Sequence, residues 1–220
     1  MRIGVAEKEF FPYAMAVTAV DLTAFGCARL FPRYYLLFTI VILLCLAAFA
    51  FLAFFFRDPD REIMVKEGTV LAPADGKVLI VAEAEEPVYL KSKARQVSIF
   101  MSPLNMHVQH APVSGKVEYL QHKSGRFFRA YLDRASIENE QNQFGFNCSG
   151  QKFLVKQIAG IIARRTVAWV REGEEVTTGQ RIGIVKFGSR VDIFVPMTVE
   201  LTVRKGDRVK AGLTILGKSA

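Results

Sequence analysis

Ala72-Pro73-Ala74-Asp75-Gly76-Lys77-Val78 returns as Ala111-Pro112-Val113-Ser114-Gly115-Lys116-Val117, and Gly173-Glu174-Glu175-Val176-Thr177-Thr178-Gly179 returns as Gly206-Asp207-Arg208-Val209-Lys210-Ala211-Gly212. Each copy sets a glycine turn against a β-branched run, as where a strand is entered through a tight turn. Further short alternating or β-branched runs fall at 78–81, 97–100, 116–120, 153–158, 182–185, 191–195 and 199–203. The spacing predicts a mainly β domain from Val70 onward, with helix a minor part. Two copies of each motif predict a duplication.

The paired motifs resemble the strand-and-turn pattern of biotinyl/lipoyl-like barrel-sandwich domains, which implies two intertwined half-barrels. The carrier function of that family is not implied, because no lysine occupies the exposed hairpin position that receives the prosthetic group. Residues 121–150 interrupt the strand pattern with charged and amide side chains, and read as a long polar loop with at most a helical turn.

Ahead of this domain, residues 34–56 are apolar except for Thr39 and are bracketed by Arg33 and Arg57. At 1.5 Å per residue the stretch exceeds the ~30 Å hydrocarbon core, so it predicts a transmembrane helix. Residues 10–31 are apolar too but carry Asp21 and Arg29, and predict either a weaker second span or an interfacial segment. The expected organisation is an anchor over 1–57 and a catalytic domain over 58–220. No short apolar region ends in a small-residue cleavage site, so the anchor is expected to stay attached.

The formal net charge is +8, without basic runs or aromatic-basic interleaving, which argues against nucleic acid and for an anionic membrane surface. Cys27, Cys45 and Cys148 lie too far apart for a disulfide framework or a metal motif. Arg57, Arg61 and Lys66 after the anchor agree with a domain on the cytoplasmic face of the cell membrane. The oligomeric state, including a homo-oligomer, stays open.

Chemistry-bearing residues are few. His107 and His110 stand in Ser102-Pro103-Leu104-Asn105-Met106-His107-Val108-Gln109-His110, and a third histidine is His122. Metal binding lacks further ligands at suitable spacing. Gly188-Ser189 interrupts an apolar run, and glycine leaves the carbonyl before the serine open to attack. Asp75, His110 and Ser189 could act as acid, base and nucleophile, although Asp75 also suits its turn as an ordinary turn former.

These segments, with Phe54-Phe55-Phe56-Arg57-Asp58-Pro59 and Phe187-Gly188-Ser189-Arg190-Val191-Asp192, resemble the phosphatidylserine decarboxylase family in its short, membrane-anchored prokaryotic form. The longer members carry Leu-Gly-Ser-Thr at the last site, from which Phe187 and Arg190 depart. The resemblance implies a proenzyme that cuts itself between Gly188 and Ser189 into a beta chain, 1–188, and an alpha chain, 189–220, whose first residue becomes a pyruvoyl group. Asp75 and His110 would activate Ser189, and His107 would assist decarboxylation. The self-made pyruvoyl cofactor would form a Schiff base with phosphatidylserine, yielding phosphatidylethanolamine and carbon dioxide. Arg126, Arg129 and Arg190 are the expected contacts for the substrate phosphate or carboxylate. A membrane-anchored, non-catalytic lipoyl-like adaptor is the alternative.

Overall fold

In a computed structural model, which describes residues 6–129, 131–132, 134–160, 165–186 and 189–219, the chain divides into two compact units, 1–60 and 61–220. The division falls three residues beyond the expected one.

The first unit is a helical hairpin. Helix α1 (Glu7–Leu30) carries Glu7 and Glu9 in its first turn and Arg29 in its last, charges that complement the helix dipole. It ends at Phe31, which leaves the helical conformation ahead of a 3₁₀ turn (Pro32–Tyr34), and α2 (Tyr35–Phe55) follows. Aromatic contacts tie the start of one helix to the end of the other: Phe10 lies 5.8 Å from Phe49, and Tyr13 stacks on Phe56 at 5.8 Å. Both helices are long and apolar enough to cross a membrane, with mean hydropathies of 1.3 and 3.0. The segment at 10–31 is therefore a continuous helix, charges included.

The second unit is mainly β. In chain order its strands are β1 (Thr69–Leu71), β2 (Gly76–Glu86), β3 (Ser92–Met101), β4 (Val108–His110), β5 (Gly115–Lys123), β6 (Gln141–Cys148), β7 (Gln151–Ala159), β8 (Arg165–Ala168), β9 (Glu175–Val176), β10 (Arg181–Lys186), β11 (Ser189–Pro196), β12 (Val199–Leu201), β13 (Arg208–Val209) and β14 (Ile215–Ser219). They form an eight-stranded sheet, β13-β2-β3-β11-β7-β6-β5-β9, and two three-stranded sheets, β1-β14-β12 and β4-β10-β8.

This order is a duplication. Strands β13-β2-β3-β11 mirror β9-β5-β6-β7 about the central β11–β7 pair, and β1-β14-β12 matches β4-β10-β8. The second half-barrel, β4 to β10, is contiguous, and it is inserted in the first between β3 and β11. The repeated Gly76 and Gly115 open β2 and β5, each pressed against a neighbouring backbone. A Cβ there would lie 2.2 Å from the Phe100 carbonyl oxygen or 2.1 Å from that of Asn147, so both copies require glycine. Between the layers, Ile99, Val155, Phe144, Phe146, Val191 and Ile193 form the centre of one buried core.

The polar stretch expected over 121–150 is shorter than it reads. Strand β5 runs to Lys123, and Gln141–Cys148 is a strand buried along most of its length. Its amides are buried because they bond to one another: Gln143 Nε2 donates to Gln141 Oε1 at 2.9 Å, and Asn142 Nδ2 to Gln157 Oε1 at 3.1 Å. The connection that remains between β5 and β6 holds a single short helix, α3 (Ala135–Glu138).

Candidate active site

Ser189 is the first residue of β11, where the chain re-enters the first half-barrel. It lies opposite Met101 of β3 and Ala159 of β7 and is fully buried. Its Oγ donates to Met101 Sδ at 3.6 Å. A thioether is a weak acceptor, so the hydroxyl is not committed to a strong bond there. Gly188 and Phe187 lie outside the described residues.

Met101 Sδ also accepts from Gln109 Nε2 at 3.7 Å, and the same amide donates to the His107 carbonyl at 2.7 Å. Behind Gln109 runs a ladder of side chains. Gln157 Nε2 donates to Gln109 Oε1 at 2.7 Å, Asn142 donates to Gln157, and His122 Nδ1 bonds Asn142 Oδ1 at 2.8 Å. Gln109, Gln157 and Asn142 are buried, so each amide is held in one orientation by its neighbours. The ladder fixes the His107–His110 segment beside the sulfur that faces Ser189.

His107 is fully buried, with Nδ1 bonded to the Asn105 carbonyl at 2.9 Å. His110 is nearly as buried, and its Nδ1 has no hydrogen-bond partner among the described residues. Burial, reinforced by the charges of Arg61 and Arg181, pushes its pKa down to about 4 against the opposing pull of Asp75 and of a hydrogen bond with the Val108 backbone. The imidazole is neutral at pH 7 and able to take a proton.

The duplication separates what Asp75 does as a turn residue from what it adds. Asp75 Oδ1 accepts the Ala211 N–H at 2.7 Å, and at the matching position Ser114 Oγ accepts the Thr178 N–H at 2.8 Å. The turn bond is common to both halves, and a hydroxyl suffices for it. Only the first half adds charge: Arg61 grips Asp75 with two bonds of 2.7 and 2.9 Å, and its Nη1 also donates to the Ala211 carbonyl. His110 stands at this end, its Cδ2 3.8 Å from the Cβ position of Gly212.

The structure thus brings Asp75 and His110 into one electrostatic cluster and Ser189, Met101 and Gln109 into another, with the adjacent β4 residues Gln109 and His110 belonging to different clusters. A hydrogen-bonded Asp75–His110–Ser189 relay is not formed among the described residues. The carboxylate expected to orient His110 is instead bound to Arg61.

The arginines divide. Arg190 is fully buried, and adjacent residues of a strand point to opposite faces, so it lies across the sheet from Ser189. Its guanidinium holds Asp192 at 2.6 and 2.7 Å and also donates to Ser136. This placement gives it an internal ion pair. Arg126 and Arg129 are exposed on the β5–β6 connection.

The family profile described as phosphatidylserine decarboxylase matches residues 48–217. The chain belongs to the phosphatidylserine decarboxylase family. Membership places it among the carbon–carbon lyases and sets aside the non-catalytic adaptor. A phosphatidylserine decarboxylase proenzyme of Salinibacter ruber is 46% identical over 178 residues, covering 80% of this chain and 78% of the relative. The proenzyme of Carboxydothermus hydrogenoformans is 45% identical over 177 residues, 80% of this chain and 83% of the relative. That of Symbiobacterium thermophilum is 38% identical over 219 residues, 99% of this chain and 97% of the relative.

Arg61 was legible only as one of several basic residues after the anchor, yet its side chain is 11% exposed and bound to Asp75. Removing its charge favours protonated His110. Arg61→Gln is therefore expected to move the acid limb of any His110-dependent step up by about one pH unit, whereas Arg61→Lys, which keeps the charge, leaves it in place. A pH–rate profile of the two variants checks this.

Proposed function

We propose that this decarboxylase acts on phosphatidylserine at a membrane surface, through a pyruvoyl group that the chain makes from Ser189. The observation that carries the reading is Ser189 itself: a buried serine at the seam between half-barrels, its hydroxyl bound to a thioether, next to the segment that bears both buried histidines. The relatives' common description as proenzymes supports the same reading.

In the maturation step, Ser189 Oγ bonds to the Gly188 carbonyl carbon as the Gly188–Ser189 C–N bond breaks, leaving an ester and a free amine. Loss of the Ser189 α-proton then breaks the Cβ–Oγ bond and releases Gly188 as a carboxylate. The dehydroalanine tautomerises to an imine, and one water converts it to the pyruvoyl carbonyl with loss of ammonia. His110, neutral and with an available nitrogen, is the base for the proton transfers, and Asp75 with Arg61 sets its charge environment. His107, on the same segment, is assigned to proton handling in decarboxylation.

The residues present fit the group. Ser189 Oγ is not held by a carboxylate or carbonyl that would have to be displaced, and the buried setting excludes bulk water. Once formed, the pyruvoyl carbonyl supplies an electron sink for the pair left as carbon dioxide departs. The chain's own residues orient the substrate amine towards the start of β11 and exclude solvent. Arg126 and Arg129 are the cations available for the headgroup, with Arg190 reserved to the sheet interior. The two apolar helices hold the catalytic unit at the cytoplasmic face, where the lipid is met without leaving the bilayer.

Intact mass of the purified protein tests the proposal. Two species divided after Gly188 are expected, the smaller blocked to Edman degradation, with carbon dioxide released from carboxyl-labelled phosphatidylserine. A single unmodified chain in an active preparation overturns it. The two pieces are also expected to co-elute without denaturant. Strand β11 keeps eight register partners on β3 and six on β7, and β13 and β14 remain paired with β2 and β1. Size exclusion in buffer and in guanidinium checks this.

A further inference from the structure

The β5–β6 connection is built inside out for a loop in water. Its uncharged polar side chains Asn139 and Ser136 face the protein. Asn139, fully buried, accepts the Phe128 N–H at 2.8 Å and donates to the Phe128 carbonyl at 2.8 Å and to the Ala159 carbonyl at 2.7 Å. Ala159 is the β7 residue opposite Ser189, so the loop hangs from the edge of the candidate active site. Ser136 binds the Arg190 guanidinium, and Lys123 Nζ caps the Ile137 carbonyl at 2.8 Å.

What remains outside is apolar and cationic. Ile137 is 69% exposed, Tyr131 50% and Phe127 38%. Arg126, Arg129 and Arg134 surround them, with Arg134 lying 4.1 Å over the Phe128 ring and Arg129 donating to the Tyr131 hydroxyl at 2.8 Å. Over residues 123–138 the sequence sets Lys123 and these three arginines against two acids, Asp133 and Glu138. Exposed aromatic and aliphatic side chains within a cationic rim match the chemistry of a bilayer interface, where rings sit at headgroup depth and arginines meet phosphates.

We infer that the β5–β6 loop is a second membrane contact, inserting Ile137, Tyr131 and Phe127 into the headgroup region of an anionic phospholipid surface while its arginines bind phosphate. The inference rests on the lipid-substrate reading for its meaning, because such a contact would deliver headgroups to the Ser189 end of the sheet. Its location at the bilayer is measured independently of catalysis.

The test uses the full chain with Cys27, Cys45 and Cys148 replaced by serine and an environment-sensitive fluorophore on Ile137→Cys, or on Lys205→Cys as control. The protein is reconstituted in phosphatidylcholine vesicles with or without phosphatidylglycerol, which is not the proposed substrate. At position 137 the emission is expected to shift to the blue, and lipids brominated on the acyl chain to quench it, only where phosphatidylglycerol is present. Position 205 should not respond. A water-exposed label at 137 in anionic vesicles overturns the inference. So does shielding that depends on protein concentration instead of lipid charge, which would mark a second copy or a protein partner.

The same labelled chain carrying Ser189→Ala should give the same emission, so a contact found without any carbon dioxide release would separate failure of the decarboxylase reading from failure of this one. Tyr131→Ser with Ile137→Asp should lower turnover of bilayer phosphatidylserine roughly tenfold, through lost apolar insertion, and leave a monomeric short-chain substrate unaffected. Equal loss on both substrates counts against the loop as a membrane contact.

Discussion

Ser189→Ala is expected to leave the 220-residue chain in one piece and to abolish decarboxylation. The substitution removes one oxygen, and in the folded protein that oxygen donates to a thioether 3.6 Å away. Losing so weak a bond while filling the same volume changes stability by no more than about 1 kcal/mol, and alanine is compatible with a fully buried strand position. The variant therefore folds, and its failure is chemical. On the proposed route, without Oγ there is no ester, no elimination and no carbonyl at residue 189, so maturation and turnover are expected to vanish together. Ser189→Cys keeps a nucleophile on the same carbon and is expected to cut slowly. Denaturing electrophoresis and intact mass distinguish the three proteins, and spontaneous splitting of Ser189→Ala would remove Ser189 from the mechanism.

Much of this was legible in the chain. The paired Pro-x-Asp/Ser-Gly-Lys-Val and Gly-x₅-Gly motifs announce the duplication, and the structure places them as expected at matching positions of mirrored half-barrels. What sequence does not show is the way the halves interlock. That β4 to β10 form one insertion, and that Ser189 stands where the chain leaves it, follows from the strand pairings and not from any local pattern. The hydropathy of residues 34–56 speaks for itself. Residues 10–31 do not, because Asp21 and Arg29 weaken the signal in a helix that stays regular.

The misread elements share a physical cause. Gln141, Asn142 and Gln143 look like loop residues because amides usually face water, and a buried amide is tolerated only where its polar atoms find hydrogen-bond partners. For Asn142 that partner is Gln157, which sits on the next strand, β7, and is itself held by Gln109 of β4. Arg61 and Arg190 look like surface cations for the same reason, each being neutralised by an aspartate, one of them 14 residues away and the other 2. The Arg61–Asp75 pairing is a tertiary fact, whereas Arg190 and Asp192 are i and i+2 on one face of β11. The contrast between Asp75 and its echo Ser114 is the exception: it was visible in the sequence, and the structure shows why it matters, since only the aspartate half carries a charge cluster beside a histidine.

On the proposed route His110→Ala is expected to slow self-cleavage by about 10²–10⁴-fold, the range that a positioned general base contributes. The native rate should carry the base's titration. With a pKa of about 4, His110 is neutral throughout the neutral range, so cleavage is flat from pH 7 down to about pH 5 and falls as the imidazole becomes protonated below that. The variant's residual rate lacks this limb. Stability moves in the same direction and has to be monitored. An unfolded histidine titrates near 6.5, so between pH 6.5 and 4 the unfolded state binds a proton that the folded state refuses, and folding weakens as pH falls through that window. Circular dichroism at each pH separates a protein that has unfolded from one whose base is protonated. His107→Ala supplies the contrast: a chain that still cuts itself but no longer releases carbon dioxide assigns maturation to His110 and turnover to His107, whereas uncut protein from His107→Ala and normal cutting in His110→Ala would exchange the two roles.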